Sequence, residues 1–242
     1  MARTSTPHPR SKAGSSSPLS ALRRGGRGVR AAFTRKLLAW WARAARDLPW
    51  RRTRDPYRVL VSEFMLQQTQ VSRVAEYYPR FLERFPDLAT LASAKPRAVR
   101  EAWDGLGYYA RASNLHALAK QVSGAGGQVP DDPVELAKLP GVGPYTAGAV
   151  ASFAYEKPVP AVDTNVARVI RRVFFASRIP HPASRQIWEL TRVLVPKTGK
   201  RAWKFNQAIM ELGALVCKAR APKCRECPVQ PVCKTGRRLG RR

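Results

Sequence analysis

The chain has 242 residues, and its 44 lysine and arginine residues against 16 acidic ones give a net charge of +28. This charge favours a polyanionic partner, and nucleic acid fits best, because neutralising its phosphates releases counterions. No apolar run reaches the ~18–20 residues of a membrane span, and no signal-peptide core is visible.

The two ends of the chain are basic and poor in apolar side chains. Residues 1–30 hold seven lysine or arginine residues, no acid, and many Ser, Pro and Gly. Such a segment cannot bury enough apolar surface to offset the entropy of ordering, so we expect a disordered basic arm that contacts DNA non-specifically. An organellar transit peptide has a similar composition and is the alternative. The basic tail 234–242 carries the same expectation of disorder.

Between the ends, the hydrophobic pattern is helical. The stretch "FTRKLLAWWARAARDLPW" places apolar side chains at helical spacing and predicts a helix that ends at Pro49. Residues 55–85 predict two helices, and shorter ones follow at 97–104, 110–123, 133–138, 145–155, 166–175, 184–195 and 202–216. Strand alternation is nearly absent, and Gly/Pro punctuation separates the segments. The sequence therefore predicts an all-α fold.

All four cysteines lie within seventeen residues, in the order Cys217-x6-Cys224-x2-Cys227-x5-Cys233. Disulfides are disfavoured because no secretion signal accompanies them. Zinc sites usually combine two C-x2–4-C pairs across a longer insert, and only one such pair is present. Four thiolates from a short loop suit a [4Fe-4S] cluster, whose core is larger than one zinc ion. The same loop carries Lys218, Arg220 and Lys223, so it is a candidate to meet phosphate.

The stretch "LPGVGPYTAGAV" (139–150) predicts a helix end, a glycine turn and a new helix. Gly141 and Gly143 allow the backbone to approach a partner closely. The free N–H groups at the start of the second helix, around Thr146, form a potential phosphate site. An ordinary helical hairpin with a glycine stop is the alternative. The turn in "GLGYYARASNL" (105–115) is a candidate for a second backbone contact.

Two acids stand out as candidate catalytic groups. Asp163 precedes a helix predicted to begin near Asn165, so it is either an N-cap or a carboxylate kept ionised at a site by the helix N-terminus. Glu63 lies in "VLVSEFML", with apolar residues on both sides. In an apolar pocket it would be a general acid and then a base. Spacing alone favours the exposed edge of an amphipathic helix.

These motifs resemble the MutY-type adenine DNA glycosylases, in the endonuclease III branch of the helix-hairpin-helix superfamily. The similar strings, in order, are "LPWRRTRDPYRVLVSEFMLQQTQV", "WDGLGYYARASNLHALAK", "LPGVGPYTAGAV", "VDTNVARV", "FNQAIMELGALVC" and the cysteine loop. They span roughly residues 33–233. The resemblance implies a DNA-binding, base-excising enzyme with a [4Fe-4S] cluster and a monovalent cation at the hairpin.

The resemblance also implies roles for individual residues. Glu63 would protonate adenine and then activate water, Asp163 would stabilise the cationic sugar, and Tyr145 and Asn165 would hydrogen-bond in that site. Trp50, Arg51 and Gln207 would line the base pocket, while Gln68 and Tyr108 would wedge into the duplex. Gly141, Gly143 and Thr146 would meet the DNA backbone. The cluster ligands would be Cys217, Cys224, Cys227 and Cys233.

Two features depart from the family pattern. Bifunctional relatives such as endonuclease III carry a Schiff-base lysine where this chain has Tyr145, which implies a monofunctional glycosylase. Lys138 and Lys157 are near in sequence but do not match that position. MutY proteins usually continue into a C-terminal MutT-like domain that recognises 8-oxoguanine, whereas this chain ends nine residues after Cys233.

Two other functions therefore stay open. The short ending and Tyr145 also suit a thymine/uracil mismatch glycosylase acting on T/G or U/G, although "LQQTQV" has the MutY form. A non-catalytic iron–sulfur DNA-binding protein is the third candidate. Both carboxylates argue against it, because phosphate binding gains nothing from acids.

We expect two domains with the substrate cleft between them. Residues 51–157 would form a six-helix domain with the hairpin and Glu63. Residues 33–50 and 158–233 would form the iron–sulfur domain, with Asp163 facing Glu63 across the cleft. The expected protein is a bacterial, cytoplasmic, nucleoid-associated monomer that acts on double-stranded DNA containing a mismatched or damaged base and has no membrane contact.

Overall fold

The computed structural model describes residues 26–175 and 185–239, and this part of the chain is helical, with no strand in it. The all-α prediction is therefore confirmed. The α-helices are α1 (Arg27–Ala44), α2 (Pro56–Leu66), α3 (Val71–Arg84), α4 (Leu88–Ser93), α5 (Pro96–Ala102), α6 (Ala110–Gly124), α7 (Pro133–Leu136), α8 (Pro144–Phe153), α9 (Thr164–Ile170), α10 (Arg185–Leu194), α11 (Gly199–Leu215) and α12 (Gly236–Leu239). None of these helices is long and apolar enough to cross a bilayer.

Parts of the two ends that were predicted to be disordered are helical. Helix α1 begins at Arg27, so residues 27–30 are helical rather than disordered. Its N-cap, Gly26, makes no side-chain cap, which leaves the sequence without a start signal. The helix also ends at Ala44, before the predicted stop at Pro49. Within the basic tail, residues 236–239 form the one-turn helix α12. The rest of the arm, 1–25, and residues 240–242 lie outside the described residues.

Aspartates fix the starts of several helices. Asp55, Asp87, Asp132 and Asp163 are N-caps whose carboxylates accept hydrogen bonds from main-chain amides in the first turn. Helix α4 was not predicted, because it has only six residues and its periodicity is too short to register. The predicted helix 166–175 is split, since α9 ends at Ile170 and a π-helical turn, Arg171–Phe175, follows.

The buried apolar residues form two clusters. The first runs from Leu48 to Ala161 and includes nearly all of α2, which is buried from Val59 to Met65. The second joins the apolar face of α1 to the segment from Val162 to Cys233. Trp203 and Met210 on α11 pack against both clusters. The clusters follow the predicted limits closely, although the division into two domains itself stays a prediction.

Candidate active site

Glu63 lies in the apolar interior of α2 and only 3% of it is exposed. The exposed-edge alternative is therefore wrong, because α2 is covered on several sides by α3, α6 and α8. Burial raises the pKa of Glu63 to about 7, the Tyr145 hydroxyl opposes this rise as a hydrogen-bond donor, and the charge of Asp163 adds to it. Its Oε2 atom is buried and has no hydrogen-bond partner among the described residues.

The structure brings Glu63, Tyr145 and Asp163 to one place, although they come from three separate elements. Tyr145 is at the start of α8, directly after the glycine hairpin. Burial raises the pKa of its phenol well above the ordinary value, and the charges of Glu63 and Asp163 raise it further. The phenol therefore stays protonated at neutral pH and is available to the Glu63 carboxylate as a donor.

Asp163 acts as the N-cap of α9 and is also a member of this group. Its Oδ1 accepts from the Val166 amide at 2.7 Å, and its Oδ2 accepts from Asn165 Nδ2 at 2.8 Å. Burial raises the pKa of Asp163, while the Val166 amide, the Asn165 side chain and the charge of Arg168 lower it. Asp163 is thus the N-cap of α9, and the helix-terminal amide favours its ionised form while burial, the largest influence, opposes it.

The carboxylates of Glu63 and Asp163 differ in the number of hydrogen bonds that they accept. Asp163 receives two short hydrogen bonds and lies near the cation of Arg168, whereas Glu63 has only Tyr145 as a donor. When two buried carboxylates are near each other, the one with fewer donors is the one that stays protonated. This arrangement favours an acid at Glu63 and an anion at Asp163.

A buried ion cluster holds the predicted base-pocket residues. Glu211 on α11 is 1% exposed and accepts from Arg46 through Nε and Nη2, each at 2.8 Å, and from Arg51 Nη2 at 2.9 Å. Although burial alone raises it, these hydrogen bonds keep the pKa of Glu211 at about 2. Arg51 Nε also donates to Gln207 Oε1 at 2.8 Å, so the amide oxygen of Gln207 faces Arg51. Trp50 is buried, and its ring lies 5.6 Å from that of Tyr78.

The two predicted wedge residues share an unusual backbone conformation. Gln68, just beyond α2, has φ +57°, and Tyr108, just before α6, has φ +46°. Residues other than glycine rarely adopt this left-handed conformation. Both side chains are exposed, and Tyr108 is 62% exposed. They therefore lie outside the core, as wedge residues would.

The glycine hairpin differs from expectation in one respect. Gly141 has φ +74°, and a Cβ atom there would lie 2.7 Å from Asn114 Cβ, so packing inside the protein requires this glycine. At Gly143 a Cβ atom would meet nothing within 4 Å, which leaves that side open to a partner. Thr146 is 3% exposed, so the residue is buried behind the turn, and its contact with the DNA backbone stays a prediction.

The four cysteine side chains line one cavity of about 240 Å³, next to Val169, Val173 and Leu212. Among the described residues, no three metal-ligating side chains converge closely enough for a single ion. Sγ of Cys217 accepts from Arg172 Nη1 at 3.4 Å, and Sγ of Cys233 accepts from the Gly236 amide at 3.2 Å. Burial raises the pKa of the Cys227 thiol to about 11, so thiolates there need a cationic centre. A spacious, thiol-lined cavity with N–H donors to sulfur fits a cluster better than one ion.

The sequence analysis missed two residues that hold the site together. Glu211 stands in "IMELGAL", flanked by apolar residues as Glu63 is, and the same signal marks it as a buried acid. Arg168 donates to Asn165 Oδ1 at 2.6 Å, to the Gly213 carbonyl and to the Cys217 carbonyl, each of the last two at 2.8 Å. An arginine in an otherwise apolar helix was its only signal.

The chain thus combines an all-α fold and a glycine hairpin with two neighbouring carboxylates, buried Glu63 and half-buried Asp163. Residues 61–193 match the HhH-GPD superfamily of base excision DNA repair proteins, and the chain belongs to this superfamily.

Within that superfamily, the chain is similar to several characterised proteins. It is 45% identical over 221 residues to the adenine DNA glycosylase of Rattus norvegicus, covering 86% of this chain and 42% of the relative. The chain thus spans less than half the length of that relative. A solved thermostable thymine-DNA glycosylase superposes with a TM-score of 0.81 at 32% identity, covering 87% of this chain and 98% of that one. A solved non-covalent endonuclease III–DNA complex superposes with a TM-score of 0.72 at 26% identity, covering 88% of this chain and 97% of that one.

Proposed function

We propose that this protein is a monofunctional DNA glycosylase that removes adenine mispaired with guanine or 8-oxoguanine from double-stranded DNA. The observation that carries the proposal is that buried Glu63 lies near half-buried Tyr145 and Asp163, close enough for each to affect its pKa. Adenine is a poor leaving group, so its ring must be protonated before the bond to the sugar breaks. A carboxylic acid with a pKa of about 7 is suited to that step at neutral pH.

In the proposed reaction, Glu63 gives its proton to a ring nitrogen of the flipped-out adenine. The bond between C1′ and the base nitrogen then breaks, and its electron pair leaves with the base. The sugar becomes an oxocarbenium-like cation, which the Asp163 carboxylate stabilises. Glu63, now ionised, removes a proton from water as that water attacks C1′. The products are free adenine and an abasic site. Glycoside hydrolysis likewise uses one carboxyl group as the acid and a second carboxylate beside the cationic sugar.

The target base must leave the stack before this chemistry, because its ring and sugar are inaccessible inside the duplex. Exposed Gln68 and Tyr108 are the groups proposed to fill the gap. Arg51, which donates to Glu211, and Gln207, which accepts from Arg51, are proposed to receive the base. The hairpin at Gly141 and Gly143 is proposed to bind the backbone, with its carbonyls holding a monovalent cation.

The absence of strand cleavage is part of the proposal. A lyase step needs an amine that attacks C1′, and Tyr145 offers a phenol instead. The two lysines near the hairpin in sequence are ion-paired, Lys138 with Glu135 at 2.7 Å and Lys157 with Asp131 at 2.5 Å. Borohydride, which traps a Schiff base covalently on DNA, should therefore yield no cross-linked product.

We also propose that Cys217, Cys224, Cys227 and Cys233 hold a [4Fe-4S] cluster. Bound there, the cluster would cross-link the basic loop 217–233, and no step of base removal passes through it. The purified protein should contain about four irons and show the broad visible thiolate-to-iron absorbance. Stoichiometric zinc without that absorbance would refute the cluster and leave the glycosylase proposal intact.

A direct assay tests the activity. Purified protein is incubated with duplexes carrying A·G, A·8-oxoguanine, T·G or U·G, and abasic sites are revealed by alkaline cleavage. We expect product only from the two adenine-containing duplexes. Product from no duplex would favour a DNA-binding protein without catalysis.

A second candidate function is removal of thymine or uracil from T·G or U·G mispairs. It is favoured by the superposition on the thymine-DNA glycosylase, which extends over 98% of that chain. Product from T·G and not from adenine mispairs would establish it in place of the adenine proposal.

A further inference from the structure

A single buried guanidinium, that of Arg111 on α6, reaches two separate loops. Only 6% of Arg111 is exposed. Its three nitrogens donate to six main-chain carbonyls: Phe64 at 3.0 Å, Met65 at 2.7 Å, Gln67 at 2.5 Å, Leu106 at 3.0 Å, Gly107 at 3.0 Å and Tyr108 at 3.4 Å. Half of these acceptors belong to the end of α2 and the other half to the turn before α6.

The first set of acceptors lies where the Glu63 helix ends. The carbonyls of Phe64 and Met65 have no partner further along α2, which ends at Leu66, and Arg111 supplies one. A cation at a helix C-terminus is also favoured by the helix dipole. Arg111 thus fixes the last turn of the helix that carries Glu63 and the direction in which the chain leaves it.

Both sets of acceptors adjoin a wedge residue in the left-handed conformation. The Gln67 carbonyl belongs to the peptide that leads into Gln68, and the Gly107 carbonyl to the peptide that leads into Tyr108. Conformations of this kind persist only where surrounding contacts over-determine them. One planar group therefore sets the spacing between the two peptides from which the wedges project.

Arg111 acts as a brace, meaning that it joins two loops through their main-chain carbonyls and does not form an ion pair. All its acceptors are neutral carbonyls, and in the described part of the chain no carboxylate pairs with it. Its guanidinium lies 5.5 Å from the ring centres of both Trp103 and Tyr108. A guanidinium offers five N–H donors in fixed directions to these six carbonyls, whereas a lysine ammonium has three and cannot reproduce the set.

We propose that Arg111 is a positioning residue that sets the relative placement of Gln68 and Tyr108 and thereby makes base extrusion possible. The inference rests on the proposed function, since it concerns how the target base leaves the duplex. It assigns Arg111 no contact with the base or the sugar.

The test separates extrusion from chemistry. Glu63→Gln protein, which should not cleave the sugar bond, is mixed with a duplex carrying 2-aminopurine at the target position, because this base fluoresces when it is unstacked. The Glu63→Gln protein, the parental protein of this test, should give a rise in fluorescence. The double variant, Glu63→Gln with Arg111→Lys, should give none. With Glu63 intact, Arg111→Lys should slow adenine excision about 100-fold, as expected for misplaced groups. DNA affinity and its salt dependence should not change, since the charge is kept.

Arg73→Lys is the matched control. Arg73 is exposed and donates to the Gly105 carbonyl of the same turn at 3.2 Å, but it reaches only that loop. It should preserve both the fluorescence rise and the excision rate. An Arg111→Lys protein with a full rise refutes the role of Arg111 while the glycosylase proposal stands. No rise even with the parental protein overturns base extrusion and this inference together.

Hydrogen exchange on the unsubstituted protein provides a measurement that does not depend on any variant folding. If Arg111 holds both loops, the hydrogen-bonded amides of Thr69 and Leu106 should exchange much more slowly than the amides of the exposed turn 124–128. Exchange as fast as in the exposed turn 124–128 would refute the brace.

Discussion

The carboxylates of Glu63 and Asp163, one hundred residues apart in sequence, are close enough in the fold for the charge of one to raise the pKa of the other. Glu63 is supplied by α2 of the first apolar cluster, and Asp163 caps α9 of the second. Asp163 accepts two short hydrogen bonds, from Val166 and Asn165, and under the proposed function this difference makes Glu63 the acid and Asp163 the anion.

Base excision should have a pH profile set by these two groups. Because Glu63 must carry a proton at the start, and its pKa is about 7, the single-turnover rate should fall as the pH rises above about 7. On the acid side the rate should fall when Asp163 becomes protonated, at a pH above its ordinary value of 3.8, since burial raises its pKa. A rate that keeps rising from pH 7 to 9 would be incompatible with Glu63 as the acid.

Glu63→Gln should make the protein more stable at alkaline pH. Because the folded-state pKa is above the unfolded one, the folded protein holds its proton more tightly, and wild-type stability declines as pH rises from about 4.5 to 7. Gln has no charge to bury, so by pH 8 the variant should gain about 3 kcal/mol relative to wild type. Urea unfolding at pH 5 and pH 8 measures the difference. The raised pKa would be contradicted if variant and wild type differed in free energy of unfolding by the same amount at both pH values.

Glu211→Gln should lower the stability of the folded protein at neutral pH, the opposite of the effect expected for Glu63→Gln. The folded-state pKa of Glu211, about 2, lies below the unfolded value, so its contribution is complete above about pH 5 and is lost as the pH falls toward 2. Removing the carboxylate leaves Arg51, which is 10% exposed, without its partner, at a cost of about 3 kcal/mol at neutral pH. Urea unfolding at pH 7 and pH 3 should show that wild type and variant differ less in free energy of unfolding at pH 3. A matched Glu83→Gln change at an exposed site should have little effect.

The two hairpin glycines should respond differently to alanine. Gly141→Ala places a methyl group 2.7 Å from Asn114 Cβ and forces a left-handed alanine, so the free energy of unfolding should drop by roughly 1–3 kcal/mol or more. Gly143→Ala has open space around it and should fold normally while binding duplex DNA more weakly. Urea unfolding and fluorescence anisotropy with labelled DNA distinguish them. Normal DNA affinity in Gly143→Ala would argue against close approach at this turn.

Local signals predicted most helices but not the conditions around Glu63. The run "VLVSEFML" shows apolar neighbours without revealing how many elements cover them, and only the packing of α3, α6 and α8 on α2 excludes the exposed-edge alternative. Asp163 was recognisable as an N-cap from the helix pattern that follows it. Its closeness to Glu63 depends on tertiary packing and entered the sequence analysis only through the resemblance.

The residues that escaped prediction act through main-chain or long-range contacts. Arg111 bonds carbonyls near residues 64–67 and 106–108, and carbonyl acceptors leave no trace in side-chain identity. Arg46 and Glu211 are 165 positions apart, so their pairing has no local signature. Helix α1 began earlier than predicted because a glycine N-cap without a capping side chain gives no start signal.

In the proposed reaction, Glu63 is the acid and Asp163 the anion for release of a flipped adenine. The most direct measurement is single-turnover adenine release from an A·G duplex by Glu63→Gln, Asp163→Asn and the exposed control Glu83→Gln, with folding checked by thermal unfolding. We predict that the first two variants fall by at least about 100-fold, as expected for loss of an acid–base group, while still binding DNA, and that Glu83→Gln keeps the wild-type rate. Wild-type release by either folded site variant would contradict the account.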